Sequence, residues 1–271
     1  MILFLILIKE KEDLVEFNIL VFIIGLIFGS FLNMLIYRLP LDISLINPKR
    51  SICTSCNYQI KWYENIPLLS YIFLKAKCSN CKEKISITYP IVELITGIVT
   101  LLLFIKIGIS LDLLLYIILF YTLIVLSFID FKYKAVPDYL LIISLVISFF
   151  LFNFDFQSML IFSGAFVLLE IFITFYIQNI KSKLANDESL KTQKALGEGD
   201  IPIVAIIGGI LGVKLGLIAI FLSAIFAIIP SILNNIIKKD IETPFIPYLA
   251  LALFLVFITN NYFLDLLGQV R

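Results

Sequence analysis

The sequence predicts an all-α polytopic membrane protein with about eight transmembrane helices. Three observations carry this. First, 61% of the 271 residues are hydrophobic and the mean hydropathy is +1.06, well above the apolar share of a soluble domain. Second, the apolar residues are gathered into runs of the length that crosses a bilayer. Third, those runs lack the alternating polarity of a membrane β-barrel strand, and a lipid-embedded backbone must satisfy its own polar groups within the segment, which a helix does.

In order, the apolar segments fall at 17–37, 89–107, 110–129, 137–153, 157–178, 201–213, 215–237 and 245–267. The opening MILFLILIKEKED has neither a basic start nor a small-residue cleavage site, so it does not read as a cleaved signal peptide. Lys214, with Gly208, Gly209, Gly212 and Gly216 around it, marks a tight connection between the sixth and seventh segments. The same glycines suit close helix contact in lipid. The polar connections 38–88, 130–136, 179–199 and 238–244 hold most of the 21 Lys and Arg. With eight spans these four connections share one side, which the positive-inside rule makes the cytoplasm, leaving both termini outside. Three parts follow: residues 1–37 as the N-terminal segment and first span, 38–88 as a cytoplasmic loop domain, and 89–271 as a seven-helix membrane domain.

Composition narrows the chemistry. The net charge is +1, so nothing marks the chain for nucleic acid, and there is no histidine. Histidine-based acid–base, triad and metal chemistry are therefore excluded. The four cysteines, Cys53, Cys56, Cys78 and Cys81, form two C-x-x-C knuckles within the 38–88 loop. Four thiolates in that pattern suit a closed, structural tetrahedral Zn²⁺. A pair of disulfides and an iron–sulfur cluster are the alternatives. The loop's placement in a reducing cytoplasm favours the metal over disulfides, and no other redox feature accompanies a cluster.

Asp130 closes the third span and Asp200 opens the sixth, at the same membrane face. Two carboxylates at one depth are what an aspartic peptidase uses, one drawing a proton from water while the other, protonated, polarises the scissile carbonyl. Each also reads as an interfacial helix cap; Asp200 lies between Gly199 and Pro202, and Asp138 follows Pro137 in VPDYL. Glu93, one turn inside the second span, either lines a polar cavity or pairs with a neighbour. Asn33 reads the same way. Glu170, near the middle of the fifth span, should face the bundle, whereas Lys106 and Lys214 snorkel outward.

GSFLNMLIYRLP at 29–40, CTSC, IKWYENIPLLSYIFLKAKCSNCKEKISITYPIVEL at 60–94, IDFKYKAVPDYL at 129–140 and GEGD at 197–200 together resemble the type IV prepilin peptidase family, in matching order over nearly the whole chain. The resemblance implies an inner-membrane aspartic peptidase of the GxGD type. Such an enzyme removes the basic leader of type IV prepilins or type II secretion pseudopilins at the cytoplasmic face, between Gly and Phe, and in many members methylates the new amine with S-adenosylmethionine. It places the catalytic pair on Asp130 and Asp200, with Asp138 as the competitor for the first role. Gly197 and Gly199 become room for backbone approach and hinge motion, and Glu198 a solvated, variable position. Two departures stand out. Pro202 replaces the family's usual lysine, and Ala76 replaces the glycine before the second knuckle, in the region tied to methylation. No glycine-rich turn marks an S-adenosylmethionine site, so residues for that cofactor stay unassigned, as do the particular pilin and the oligomeric state. The rival is an ion-coupled transporter with a structural zinc knuckle, which would show inverted repeats and broken helices near the midplane; no convincing repeat is visible, and the paired aspartates sit at the boundary.

Overall fold

The computed structural model describes residues 2–46, 51–185, 188, 197, 199–236 and 243–266. Of the basic residues in the four polar connections, Lys49, Arg50, Lys191, Lys194, Lys238 and Lys239 lie outside the described residues, as does Glu198 of the GEGD motif. The regular structure of the described residues is helical; among them the extended pairings are two isolated bridges, Ile52–Gln59 and Lys77–Lys84, in the irregular loop between α1 and α3. Two compact units divide it, Met1–Val125 and Leu126–Arg271.

The first unit contains α1 (Ile2–Arg38), short 3₁₀ turns at Leu39–Leu41 and Trp62–Asn65, α2 (Leu69–Phe73), α3 (Thr88–Ile107) and the start of α4 (Leu111–Tyr133). α1 and α3 meet backbone to backbone. A Cβ on Gly25 would lie 2.8 Å from the Gly97 Cα, and one on Gly29 2.6 Å from the Glu93 Cα. In lipid, where apolar burial alone does not drive helices together, such small-residue contacts let them approach. Polar residues add specific ties. Asn33 Nδ2 donates to the Tyr89 carbonyl at 3.0 Å, so this intramembrane amide pairs with a neighbour. The Thr100 and Tyr121 hydroxyls bond at 2.7 Å.

The second unit contains the end of α4, α5 (Asp138–Phe149), α6 (Phe156–Phe175), a π-helical stretch Tyr176–Lys181 running into α7 (Ser182–Ala185), α8 (Asp200–Ile236), α9 (Ile246–Ile258) and α10 (Asn260–Leu266). α8 packs on α6 through glycines. A Cβ on Gly208 would meet the Ser158 carbonyl at 2.8 Å, one on Gly209 the Phe154 ring at 2.1 Å, and one on Gly216 the Phe162 ring at 2.8 Å. α8 is broken at Gly212, whose φ of 69° and ψ of −179° no helix contains. The connection expected around Lys214 thus falls on Gly212, because a positive φ costs glycine little. The loop expected from residue 179 begins later, since helix continues to Ala185; Lys, Leu and Ala there are good helix formers. Glu170, expected to face the bundle, is half-buried on α6.

Five helical stretches are long and apolar enough to cross a membrane: Val15–Leu41, Thr88–Ile107, Leu111–Tyr133, Phe156–Leu184 and Asp200–Ile232. α5 and α9 are apolar but only 12 and 13 residues long, about 18–20 Å at the helical rise. Large apolar side chains such as Ile142, Leu168, Phe172, Phe221 and Ile229 point outward, as they do in a protein solvated by lipid. The chain is a multi-pass membrane protein by this measure.

Candidate active site

Asp130 stands in the last turn of α4. The helix ends directly after it: Lys134 turns to φ +53° and its N–H closes on the Asp130 carbonyl at 2.9 Å. The Asp130 side chain is 7% exposed. It accepts a hydrogen bond from the backbone N–H of Ile246. Ile246 is the first residue of α9 and Pro247 follows it. The opening N–H groups of a helix have no partner within it, so they are free to hold an anion. Pro at the start of the helix gives up nothing, because its missing N–H would have been unpaired. Among the described residues the other buried oxygen, Asp130 Oδ2, has no hydrogen-bond partner. A buried carboxylate oxygen left open is costly unless a water, proton or substrate uses it. Tyr248, one helical residue further, is buried within electrostatic reach of Asp130, and its ring meets Phe131 edge-on with centroids 6.1 Å apart.

Asp200 is the first residue of α8 and 6% exposed. Its N–H donates to the Gly197 carbonyl at 3.0 Å, and the Gly197 N–H donates back to its carboxylate. Below it Ile203, Val204, Ile206 and Ile207 are fully buried, which fixes the start of α8 in place. Asp200 feels the charge of Asp130 directly, so the two carboxylates, seventy positions apart, share one site.

Gly197 and Gly199 both lack a left-handed backbone, since Gly108 and Gly212 are the positive-φ glycines among the described residues. Space is what they supply. A Cβ on Gly197 would sit 3.2 Å from Asp200 Oδ2; one on Gly199 would meet Val136 Cγ2 at 2.9 Å and Ile246 Cδ1 at 3.2 Å. Asp138 is exposed in the first turn of α5, where Pro137 is the N-cap and no side chain closes it. Asp138 therefore complements the helix dipole without serving as the cap.

Glu93 belongs to the first unit. It is 8% exposed and accepts the Leu68 N–H at 2.8 Å, with a further bond to the Ser30 side chain. It is paired with neighbours and holds a loop backbone.

The four cysteines converge: their Sγ atoms all lie within 4.8 Å of one another, and none is in a disulfide. The two knuckles repeat each other at an offset of 25 residues. Cys53 N–H bonds the Tyr58 carbonyl at 2.9 Å and Cys78 N–H the Glu83 carbonyl at 2.8 Å; Asn57 and Lys82 N–H return to the carbonyls of Cys53 and Cys78. Asn57 and Lys82 both carry positive φ, and Ile60→Ser51 and Ile85→Ala76 bonds close each hairpin. The Cys53–Cys81 Sγ distance is 3.8 Å. Four sulfurs at about 2.3 Å from a tetrahedral ion stand about 3.8 Å apart, so the donor set fits a metal ion. The backbone also prepares the sulfurs for charge. The Cys56 thiol is pulled down to about 6, first by the Tyr58 N–H and, against desolvation, by Asn80 and the other thiols. Cys78 is lowered first by the N–H groups of Cys81 and Asn80. Cys81, although the Glu83 N–H favours its thiolate, is pushed up to about 12 by desolvation and by the other three thiols. Without a metal the tetrad cannot readily hold more thiolates, and a bound cation removes that conflict.

Sequence reasoning missed Ile246 and Tyr248. The signal was Pro247 two residues into the last apolar segment, which marks a helix start rather than a helix interior.

Residues 23–107 match the model of the bacterial peptidase A24 N-terminal domain, and residues 117–232 match that of the type IV leader peptidase family. Among curated proteins, the chain is 35% identical over 218 residues to a prepilin leader peptidase/N-methyltransferase of Vibrio cholerae, covering 78% of this chain and 84% of that protein. It is 30% identical over 250 residues to one of Bacillus subtilis, covering 89% and 94%. A Myxococcus xanthus protein of the same description is 42% identical over 121 residues, 45% of this chain and 36% of that protein. No solved structure matches the chain. On these matches, both units carry the relatives' sequence, and the chain belongs to the type IV leader peptidase family.

Proposed function

We propose that this protein is a prepilin peptidase that removes the basic leader of type IV prepilins or type II secretion pseudopilins. The observation that carries the reading is the buried pair Asp130 and Asp200, electrostatically joined, with Asp130 Oδ2 open. Like charges at this range do not readily both ionise, so the pair holds one proton between its carboxylates. The Ile246 N–H fixes the remaining Asp130 oxygen and directs Oδ2 to the lytic water. The ionised carboxylate takes the water's proton; the protonated one donates to the scissile carbonyl oxygen; the resulting tetrahedral intermediate collapses and the proton returns to the leaving amine. Burial at two helix ends keeps bulk water from competing.

In this reading the chain crosses the bacterial inner membrane eight times, the two arms of α8 and the short α5 and α9 each crossing, with 38–88 and the carboxylates at the cytoplasmic face. The positive charge of the four connections on that face supports it. Cys53, Cys56, Cys78 and Cys81 would hold a structural Zn²⁺, which would cross-link the two hairpins of the loop. Methylation of the new N-terminal amine with S-adenosylmethionine is part of the reading, supported by the relatives' description.

The test is cleavage of a prepilin by membranes carrying Asp130→Asn or Asp200→Asn. Each is expected to lose activity by about 1,000-fold or more, as members of a catalytic unit do. Normal processing by both variants overturns the assignment. Incubating cleaved pilin with methyl-labelled S-adenosylmethionine reads the second activity; no label on the pilin removes it.

A further inference from the structure

The polar loop of the first unit carries a surface that nothing above uses. Between Trp62 and Phe73 the chain reads WYENIPLLSYIF. Trp62 is 77% exposed, Ile72 67% and Phe73 79%, with Leu69 and Ile66 also outward. α2 buries none of its residues. Exposed apolar residues gathered in so short a stretch call for a partner.

Two hydrogen bonds say where it lies. Asn65 Nδ2 donates to Ser30 Oγ at 3.3 Å, and Leu68 N–H donates to Glu93 Oε2 at 2.8 Å. Ser30 is eight residues before the end of α1, about 12 Å down the helix at 1.5 Å per residue. Glu93 is five residues into α3, about 7–8 Å from its start. Both are within candidate membrane spans. The loop therefore dips below the ends of the helices that carry it. Irregular backbone at that depth is tolerated only where its polar groups are met within the protein or face a cavity. Several of the loop's backbone groups are met within the protein. Glu93 takes the Leu68 N–H, the Pro67 and Ile66 carbonyls take those of Leu69 and Ser70, and Pro67 has none. Beside this contact a cavity of about 290 Å³ is lined in part by Ser30, Met34, Arg38, Asn65 and Pro67. Leu68 pays with φ +59°, a strain that the Glu93 bond holds. Around the apolar face stand exposed Lys61, Lys75 and Lys77, which suit an anionic leaflet. Trp and Tyr beside them are the residues that settle at the headgroup level.

We propose that Trp62–Phe73 is a re-entrant anchor whose exposed face lies in the headgroup region of the bilayer, its partner being anionic phospholipid. The anchor pins the cysteine-bearing loop to the membrane surface at a third point, besides its two helical tethers. It rests on the multi-pass reading and is independent of the peptidase chemistry.

Trp62 is the single tryptophan of the chain, so its fluorescence reports the anchor without mutation. The full chain is reconstituted in vesicles of anionic and zwitterionic phospholipid containing lipids brominated near the headgroup or near the acyl terminus. Headgroup-proximal bromines are expected to quench at least about twofold more than deep ones, and aqueous iodide at most about one third as well as on the urea-unfolded chain. The double variant Trp62→Phe/Phe73→Trp moves the probe to α2 and should keep that order. Iodide quenching equal to that of the unfolded chain, with no quenching by either bromolipid, overturns the proposal. So does shielding of Trp62 that appears only when a prepilin peptide is added, which assigns the face to peptide. Cleavage measured on the same vesicles reads the peptidase independently, so either conclusion can fail alone.

Discussion

Replacing Gly199 with alanine is the sharpest probe of how the carboxylates are held. The added Cβ would stand 2.9 Å from Val136 Cγ2, 3.2 Å from Ile246 Cδ1 and 3.5 Å from Leu141 Cδ1. The first distance is one that real Cβ atoms do not keep. Val136 is β-branched, with little rotamer freedom to retreat. Ile246 is the residue whose N–H holds Asp130, so displacing it disturbs Asp130 as well as Asp200. Overpacking of this size costs about 1–3 kcal/mol of stability, and a misplacement near 1 Å at reacting groups costs about 100-fold in rate. Gly199→Ala is therefore expected to lower both the thermal midpoint and prepilin cleavage, the latter by about 10- to 100-fold. Gly197→Ala meets only the end of the Asp200 carboxylate, at 3.2 Å, and should lower kcat while leaving the midpoint near that of the parent. Gly164→Ala, with nothing within 4 Å of the added Cβ, is the control and should be neutral. The assay is cleavage of a full-length prepilin in proteoliposomes, paired with thermal unfolding of the same preparation. Wild-type cleavage by Gly199→Ala would refute the close-packing argument. Equal loss in all three variants would show that glycine flexibility, and not space, is what the site needs.

Other outcomes follow from the same contacts. Metal analysis of the purified chain should find about one zinc per chain, lost in Cys53→Ser/Cys56→Ser, with the thiols open to alkylation only after chelation; metal-free, freely alkylated protein that still cleaves and methylates would dismiss the metal. Glu93→Ala strands the Leu68 N–H at a cost of about 1–3 kcal/mol and should speed limited proteolysis at Lys61 and Lys75 about 5- to 150-fold, with Glu93→Gln, which keeps an acceptor, falling between; equal nicking in all three removes Glu93's role. Asp155 caps α6 by accepting from the Gln157 and Ser158 N–H groups, and the Ser158 hydroxyl foremost, with these N–H groups, holds its carboxyl below its ordinary 3.8. Its contribution is thus fully present above that ordinary value and is lost as pH falls through the lowered one. The thermal midpoint of Asp155→Asn should converge on the parent's once the pH has fallen through Asp155's lowered value, and a gap that persists in strong acid would contradict the assignment.

Much of the architecture was legible because lipid leaves the chain few options. Every apolar run had to be helical, and the long apolar runs of the described chain are helices. The cysteine cluster was legible from spacing alone, since two C-x-x-C hairpins have one economical way to meet. That Asp130 and Asp200 lie at one site followed from counting spans and charges, an argument about topology with no contact in it. What stayed hidden depends on contacts between distant elements. Nothing local ties Ile246 to Asp130, because a backbone N–H is the same in every residue. Nothing local ties Leu68 to Glu93, so the glutamate's two readings could not be separated until the loop was seen to dip. The break in α8 fell among the residues that marked it, Lys214 and its glycines, at Gly212, where the backbone could turn.

The bond from Ile246 to Asp130 also sets an order in time. Synthesis delivers α4 first, then α8, then α9, and folding during synthesis runs from the N-terminal side. A chain that already holds both aspartates still lacks the donor that orients one of them. The carboxylates can be present, inserted and buried while the site stays unassembled, and it is completed by a helix that brings no side-chain acid of its own. In the proposed reading, cleavage therefore waits until α9 has followed α4 and α8 into the membrane, an order written into the sequence of the helices.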